Sequence, residues 1–282
     1  MKRFLTLMLL SLAFYVSAFA SELRADINCD GRVDLADFSI MASEWLATGS
    51  SSYYLSWVNG FDYTYFDTDA SFKVGSGNFS MWLWLRLAPN MTGANSILSA
   101  DGSSKSYGLA HYLQGKASFM MFDGTNDLTV RSEATGLLNT GNWVLLLATV
   151  DRASATGAKL YVNNILVATG DPTSIGNLDE EDTKLYISAL NYLDRDEFGI
   201  YKGILTTDQR NTIYASGSGH KITDAFFASI DGFHSNCDDG TNPLTGRKHI
   251  NNVHTSLNAT MGDALGWQSG GVGISGCKCG DN

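Results

Sequence analysis

Phe79-Ser80-Met81-Trp82-Leu83-Trp84-Leu85-Arg86-Leu87 is the stretch that decides the fold. Every second position from the first residue is apolar, and the positions between hold a serine, two tryptophans and an arginine. This period of two is that of a β-strand rather than a helix. Because large apolar side chains occur at both sets of positions, we predict a strand buried on both faces, with Trp82 and Trp84 in a core.

Similar runs, separated by turn residues, continue along the chain. They predict strands at 96–99, 107–113, 117–122, 128–132, 143–150, 159–162, 165–169, 184–190 and 198–205. Asn163-Asn164 separates two of these runs and tolerates the left-handed backbone of a tight hairpin. One short helix is predicted from Thr207 to Tyr214. Many short strands with one helix predict an all-β fold, an antiparallel jelly-roll sandwich.

Several segments, in this order, resemble a laminin-G-like, concanavalin A-like jelly roll. They are residues 55–72, 77–84, 142–151, 159–163 and 196–201. The resemblance extends from about Ser52 to Ala215. The resemblance implies membership of a superfamily that contains glycan-binding modules, adhesion domains and some hydrolases. The fold alone therefore does not determine the function. The resemblance also implies a calcium ion at one rim, for which Asp101 and Asp196 are candidate ligands.

The N-terminus has the pattern of a secretory signal. Lys2 and Arg3 precede an apolar run from Phe4 to Val16, and Ala18-Phe19-Ala20 forms a cleavage site, so residues 1–20 are predicted to be removed. The run is too short to cross a bilayer of about 30 Å. We therefore expect a secreted protein without membrane insertion. The net charge of −10, without a basic cluster, argues against nucleic acid as a partner.

Residues 26–37 have the spacing of a calcium loop. A hard cation needs several oxygens converging from one short segment, and a glycine at the sixth position allows the sharp turn; here that residue is Gly31. The predicted Ca²⁺ ligands are Asp26, Asn28, Asp30, Asp34, Asp37 and the backbone carbonyl of Arg32.

The residues after this loop have helical spacing from Leu35 to Leu46, and too few precede it for an entry helix. This arrangement resembles one repeat of a type I dockerin, whose domains bind cohesins on bacterial scaffolds through two repeats. The resemblance implies an extracellular bacterial protein and a possible cohesin-like partner, although this chain has a single repeat.

The predicted domains are a calcium module at 21–47, a linker at 48–52, the sandwich at 53–224 and a tail at 225–282. Within the tail, 225–232 and 266–271 resemble the first strand region of another laminin-G-like unit. The tail is either a truncated repeat or a source of edge strands for the one sandwich. We favour edge strands, because an unpaired apolar strand would promote aggregation.

The cysteines of an exported chain can form disulfides. Cys29, Cys237, Cys277 and Cys279 allow three pairings. A bridge between Cys277 and Cys279 would be strained, so one scheme joins Cys237 to one of that pair and Cys29 to the other. A free Cys29 is the alternative.

No catalytic residue is assigned. Glu180-x-Asp182 comes closest to the paired carboxylates of a β-sandwich glucanase, but no closing Glu follows, and we interpret it as an acidic turn. No nucleophile elbow or zinc-binding helix motif occurs. Aromatic residues near loops could instead stack on sugar rings. These are Tyr107, Tyr112, Tyr192 and Trp267.

We conclude from the sequence that the chain is a secreted, calcium-binding, non-catalytic carbohydrate-binding or adhesion protein. Its expected partner is a glycan or an extracellular-matrix or cell-surface protein. The alternative is a polysaccharide-degrading glycoside hydrolase, or its accessory subunit, docked to an extracellular scaffold. A structural component of the cell envelope is a third possibility.

Overall fold

The strand predicted at Phe79–Leu87 forms the centre of an antiparallel sheet in a computed structural model of the chain. The structure describes residues 53–57, 63–91, 93–188, 193–215, 231–235, 245–250, 253–260 and 265–269. Only the backbone is described for residues 53–57, 63, 188, 245–250, 253–260 and 265–269.

The described part contains sixteen strands and one α-helix. The strands are β1 Tyr53–Trp57, β2 Tyr63–Phe66, β3 Phe79–Leu87, β4 Asn95–Asp101, β5 Ser106–Tyr112, β6 Lys116–Phe122, β7 Asp127–Arg131, β8 Trp143–Val150, β9 Ala158–Val162, β10 Ile165–Gly170, β11 Lys184–Ser188, β12 Leu193–Tyr201, β13 Gly232–Ser235, β14 Thr245–Ile250, β15 Val253–Thr260 and β16 Leu265–Ser269. The helix, α1, is Thr207–Tyr214, and two short 3-10 turns cover Ala70–Phe72 and Leu113–Gly115.

The strands form two antiparallel sheets. Sheet A has the order β10-β9-β8-β3-β12-β13-β14-β15, and β1 pairs with both β12 and β16. Sheet B has the order β15-β2-β11-β4-β5-β6-β7. The long strand β15 joins the two, because its first part pairs with β14 and its end pairs with β2. The all-β sandwich predicted from the sequence is therefore confirmed.

The main core lies between the sheets. Alternate residues of β3, from Phe79 to Leu87, pack there against β8 and against residues of sheet B such as Leu109 and Phe119. A second cluster covers the other face of β3, where Trp82 and Trp84 are fully buried with Leu205 and Ile213. Both tryptophans are core residues, as the sequence predicts, and β3 is buried on both faces.

Local sequence explains the connections that fix this arrangement. Asn163 and Asn164 have φ values of 50° and 62°, the left-handed conformation that a tight hairpin requires. Thr206 caps α1 by accepting a hydrogen bond from the backbone N–H of Gln209, whose side chain accepts from the N–H of Thr206. Among the described residues, no helix is of the length and apolar character needed to span a bilayer.

Candidate functional site

A pair of tyrosines lies on the outer face of sheet B. Leu185 and Ile187 of β11 point into the core, so Tyr186 between them points outward. Tyr186 is in register with Tyr65 of β2 on one side and with Ser99 of β4 on the other. The two rings are 5.6 Å apart between centroids, tilted by 43°, and both are half-buried. The sheet thereby offers an aromatic surface, which we call the tyrosine pair.

A lysine borders the tyrosine pair. The Nζ atom of Lys184 lies 3.1 Å from the Oδ1 atom of Asp67 and 4.2 Å from the centroid of the Tyr65 ring. The hydrogen bond to Asp67 is the main reason that the pKa of Lys184 is raised. Asp101 of β4 is the cross-strand neighbour of Lys184, yet the ammonium group is directed to Asp67 on the other side.

A pocket of about 320 Å³ opens beside the tyrosine pair. It is lined by Asp101, Gly102, Ser103, Asp182, Lys184 and Tyr186, and we call it the Tyr186 pocket. Its volume is at the lower end of the range for small-molecule sites, which is about 300–1,000 Å³. One aromatic ring beside hydroxyl and carboxylate groups is a suitable lining for a small polar ligand that has one apolar face.

Two loops build the wall of this pocket and are joined by hydrogen bonds. Glu180 accepts hydrogen bonds from the backbone N–H groups of Ser104 and Lys105, at 2.8 and 3.0 Å, and from the Ser104 hydroxyl. Asp182 likewise accepts from the backbone N–H and the hydroxyl of Ser103. We call this set of contacts the acidic clasp. It shows that Glu180-x-Asp182 is a turn, as predicted, but one that is tied to a second loop.

Gly102 is required by the closeness of the two loops. A Cβ atom at this position would lie 2.2 Å from Oε2 of Glu180 and 3.0 Å from its Cβ atom. Any other residue would displace the Glu180 side chain and open the acidic clasp. The Glu180 side chain therefore packs directly against the backbone at Gly102 and helps to shape this wall of the pocket.

The carboxyl groups around the pocket differ in their pKa. Burial raises the pKa of Asp101, and a hydrogen bond from the Ser99 hydroxyl, 2.6 Å from Oδ2, partly offsets this. Hydrogen bonds from Ser104 lower the pKa of Glu180, and the hydrogen bond from Ser103 lowers that of Asp182. The acidic clasp is thus held in its ionised form, whereas Asp101 is a desolvated carboxylate.

The acidic clasp should weaken in acid. A carboxyl group whose pKa is lower in the folded state stabilises the fold above its unfolded pKa, and this stabilisation is lost as the pH falls through the folded pKa. The midpoint of thermal unfolding should therefore fall between neutral pH and about pH 4 or below. Asp101 has a raised pKa, so its own contribution to stability changes with pH in the opposite direction. The Glu180→Gln, Asp182→Asn variant should be less stable at neutral pH and should lose less on acidification. Parallel curves for the two proteins would contradict this.

Several residues singled out in the sequence lie outside the described residues. These are the predicted calcium ligands Asp26, Asn28, Asp30, Arg32, Asp34 and Asp37, and the cysteines Cys29, Cys237, Cys277 and Cys279. Tyr192 and the side chain of Trp267 also lie outside them. In the ranges that the structure covers, no group of His, Cys, Asp and Glu residues is placed to hold a metal ion.

The sequence-predicted rim acids Asp101 and Asp196 are not brought together. Asp101 lines the Tyr186 pocket on sheet B, but Asp196 is buried on sheet A, in β12. The prediction that Tyr107 is a stacking residue is wrong, because its ring packs on Phe79 in the core and its hydroxyl donates to the carbonyl of Phe72. Tyr112 is half-buried beneath the guanidinium of Arg131, 3.5 Å from its ring centroid.

The two sheets and their antiparallel order define a jelly-roll sandwich. A sequence profile described as the concanavalin A-like lectin/glucanases superfamily, of laminin-G type, matches residues 59–209. The chain belongs to this superfamily. Among curated proteins, none matches the sequence significantly.

Several solved structures are similar to this chain at low sequence identity. A protein from Bacteroides ovatus, described as a putative carbohydrate-binding protein, is 12% identical, with a TM-score of 0.54 over 78% of this chain and 60% of that one. The pentraxin of Limulus polyphemus is 11% identical, with a TM-score of 0.51 over 81% of this chain and 100% of that one. The receptor-binding domain of botulinum neurotoxin C/D is 15% identical, with a TM-score of 0.43 over 51% of this chain and 37% of that one. The chain therefore spans less than two thirds of the Bacteroides and neurotoxin chains.

Proposed function

We propose that this chain is a secreted, non-catalytic carbohydrate-binding or adhesion protein, and that its sugar site is the Tyr186 pocket. The observation that carries the proposal is the combination of an outward-facing aromatic ring with polar groups in one preformed pocket. A sugar ring has an apolar face, which stacks on an aromatic ring, and a rim of hydroxyls, which exchange hydrogen bonds with carboxylates and serines.

The contacts around the pocket support this assignment. The tyrosine pair is held by the register of three neighbouring strands, and Lys184 is fixed against it by Asp67. The acidic clasp fixes Ser103 and Gly102 on the opposite wall. A ligand would therefore meet groups that are already ordered, which reduces the entropic cost of binding.

The superfamily and the Bacteroides neighbour agree with a glycan as the partner, and the secretory signal agrees with an extracellular setting. The secretory signal and the calcium loop at residues 26–37 remain predictions from the sequence. Their place in the proposal is that calcium would stabilise a small N-terminal module, whereas the sugar would bind on sheet B.

The Tyr186→Ala variant tests the site. It should bind glycans about tenfold more weakly, because an aromatic contact is worth about 0.5–1.5 kcal/mol beyond the area that it buries. A glycan array would first identify a ligand, and calorimetric titration of that ligand would then compare the variant with the wild type. An array that stays blank for the wild type would overturn the proposed function.

Tyr112→Ala is the matched control. Tyr112 lies on the same sheet, two strands across from Tyr186 and four residues further along β5 than the residue in register with it. At ordinary strand spacing the two positions are about 17 Å apart. This variant should keep the affinity of the wild type. A loss in Tyr112→Ala without one in Tyr186→Ala would place the sugar at the other end of sheet B.

A further inference from the structure

The Tyr186 pocket has an excess of negative charge. Asp101 and Asp182 both line it, and Lys184 is the one cation among its lining residues. Lys184 is already paired with Asp67 and lies over the Tyr65 ring. Within the described ranges, neither Asp101 nor Asp182 forms an ion pair with a Lys, Arg or His side chain.

The two carboxylates differ in what they can offer a ligand. Oδ2 of Asp101 accepts a hydrogen bond from Ser99, and among the described residues no donor approaches its Oδ1 atom. Asp182 accepts from Ser103 and is otherwise exposed. The charge of Lys73 makes the smallest contribution to the lowered pKa of Asp182. The Nζ atom of Lys73 lies 3.5 Å from the carbonyl oxygen of Glu181.

We propose that the Tyr186 pocket selects sugars that carry a protonated amine. It should bind neutral sugars more weakly than these, and acidic sugars most weakly of all. This inference rests on the proposed function, since it names the class of sugar for the same site. The ring of such a sugar stacks on Tyr186. Its ammonium group lies on the side of the pocket formed by Asp101 and Asp182.

The chemistry of the pocket favours an ammonium group over other substituents. An ammonium has three donors and no acceptor, and it complements carboxylates that lack a cation. Asp101 gains most from this contact, because burial has removed part of its hydration. An adjacent positive charge stabilises the ionised form of its carboxyl group. A sugar carboxylate or sulfate in the same place would be repelled by both aspartates, and the nearest cation, Lys184, is paired with Asp67.

A matched series of ligands tests the charge preference. Oligomers of β-1,4-linked glucosamine, N-acetylglucosamine and glucose share one backbone and differ only at one ring substituent. A uronic acid oligomer adds the opposite charge. Titration calorimetry at a pH at which the amine is protonated should show the glucosamine oligomer binding about three- to tenfold more tightly than either neutral oligomer. This preference should shrink with added salt, because the charges are partly exposed.

Two isosteric variants assign the preference to the pocket. Asp101→Asn and Asp182→Asn remove the charge and keep the shape and the acceptor oxygen, and each should reduce the preference for the glucosamine oligomer. Asp127→Asn is the control, since Asp127 is an exposed residue of β7, three strands from Asp101 along the same register row, or about 14 Å away at ordinary strand spacing, and should leave the preference intact. Spermidine, a polyamine without a sugar ring, tests whether charge alone is recognised.

Each outcome is decisive. Tighter binding of the glucosamine oligomer that is lost in the Asp101→Asn and Asp182→Asn variants supports the proposal. Equal or tighter binding of a neutral or uronic acid oligomer overturns it and leaves the proposed function standing. Competition by spermidine at the same concentration as the glucosamine oligomer also overturns it, because the site would then recognise a cation and not a sugar. Binding of no oligomer, with a blank glycan array, removes the proposed function itself.

Discussion

Replacing Phe233 with alanine should lower the free energy of unfolding by about 3–5 kcal/mol. Phe233 belongs to β13 and is fully buried between the sheets. Its ring makes edge-to-face contacts with Phe66 and Phe72, at centroid distances of 4.8 and 5.0 Å, and it also lies near Phe198. Removing it leaves a cavity among three other rings, and these cannot all move in to fill it.

This prediction bears on the domain division as well as on stability. Phe233 lies beyond the segment that matches the superfamily, and within the tail predicted at 225–282. If the tail supplies strands to the one sandwich, a substitution there must destabilise the whole domain in a single unfolding transition. If the tail were a separate truncated repeat, the main transition would not move.

The control is a phenylalanine that lies on the surface. Phe122 ends β6 and its side chain is 38% exposed. Phe122→Ala removes the same atoms with little cavity formation, so it should cost far less than Phe233→Ala. Chemical denaturation followed by tryptophan fluorescence would give both values. Equal effects for the two variants would show that Phe233 is not part of the core.

Periodicity in the sequence predicts the interior of this fold well. The bounds of β8 and α1 are those predicted, and β3 has the predicted burial on both faces. These segments have long apolar runs or a complete helix-capping pattern, so local preference and tertiary packing favour the same structure. Where they agree, sequence reasoning succeeds.

The start of β12 shows where periodicity fails. The prediction begins this strand at Phe198, but it begins at Leu193 and includes a run of charged residues. Charged residues in sequence usually indicate a loop, whereas here Asp194 pairs with Arg86 and the next three charged residues are buried. An irregularity between Asp196 and Gly199, with Glu197 at φ 43°, shifts the register. Neither the pairing nor the bulge has a local signal in the sequence.

The candidate site was missed for a related reason. The sequence argument selected aromatic residues near loops, and of these Tyr107 is in the core. Tyr186 instead lies within a strand, and alternation with Leu185 and Ile187 could have placed it on the outer face. What alternation cannot supply is its partner, because Tyr65 is more than a hundred residues away in the chain and meets Tyr186 only through the order of the strands.

Replacing His234 with alanine should also cost about 3–5 kcal/mol of unfolding free energy, by a different mechanism. Nε2 of His234 lies 2.7 Å from Oε2 of Glu197, and the side chains are 4% and 3% exposed. The His234 ring also stacks on Trp82, with 6.5 Å between centroids. The substitution removes a buried hydrogen-bond partner of the Glu197 carboxyl group and leaves a cavity beside Trp82, and both effects destabilise the fold.

The backbone around Glu197 is tightly constrained. Its backbone is held in the left-handed region, and its N–H donates to Oδ1 of Asp196 at 2.9 Å. Two residues later, Gly199 has no room for a side chain, because a Cβ atom would lie 2.4 Å from the ring of Trp82. The bulge therefore lies against the Trp82 ring and the neighbouring strand, with the Glu197 side chain only 3% exposed.

A double-mutant cycle measures the interaction between Glu197 and His234 separately from the other contacts of each residue. Glu197→Gln and His234→Ala together should cost less than the sum of the two single variants, with a coupling of about 0.5–3 kcal/mol. The pair of Arg86 and Asp194, whose side chains are 22% and 17% exposed, is the control, since Asp194→Asn keeps an acceptor for Arg86 and should cost less than His234→Ala. A His234→Ala variant no less stable than Asp194→Asn would mean that Glu197 reaches solvent. The bulge of β12 would then be an open surface and not part of the buried structure of sheet A.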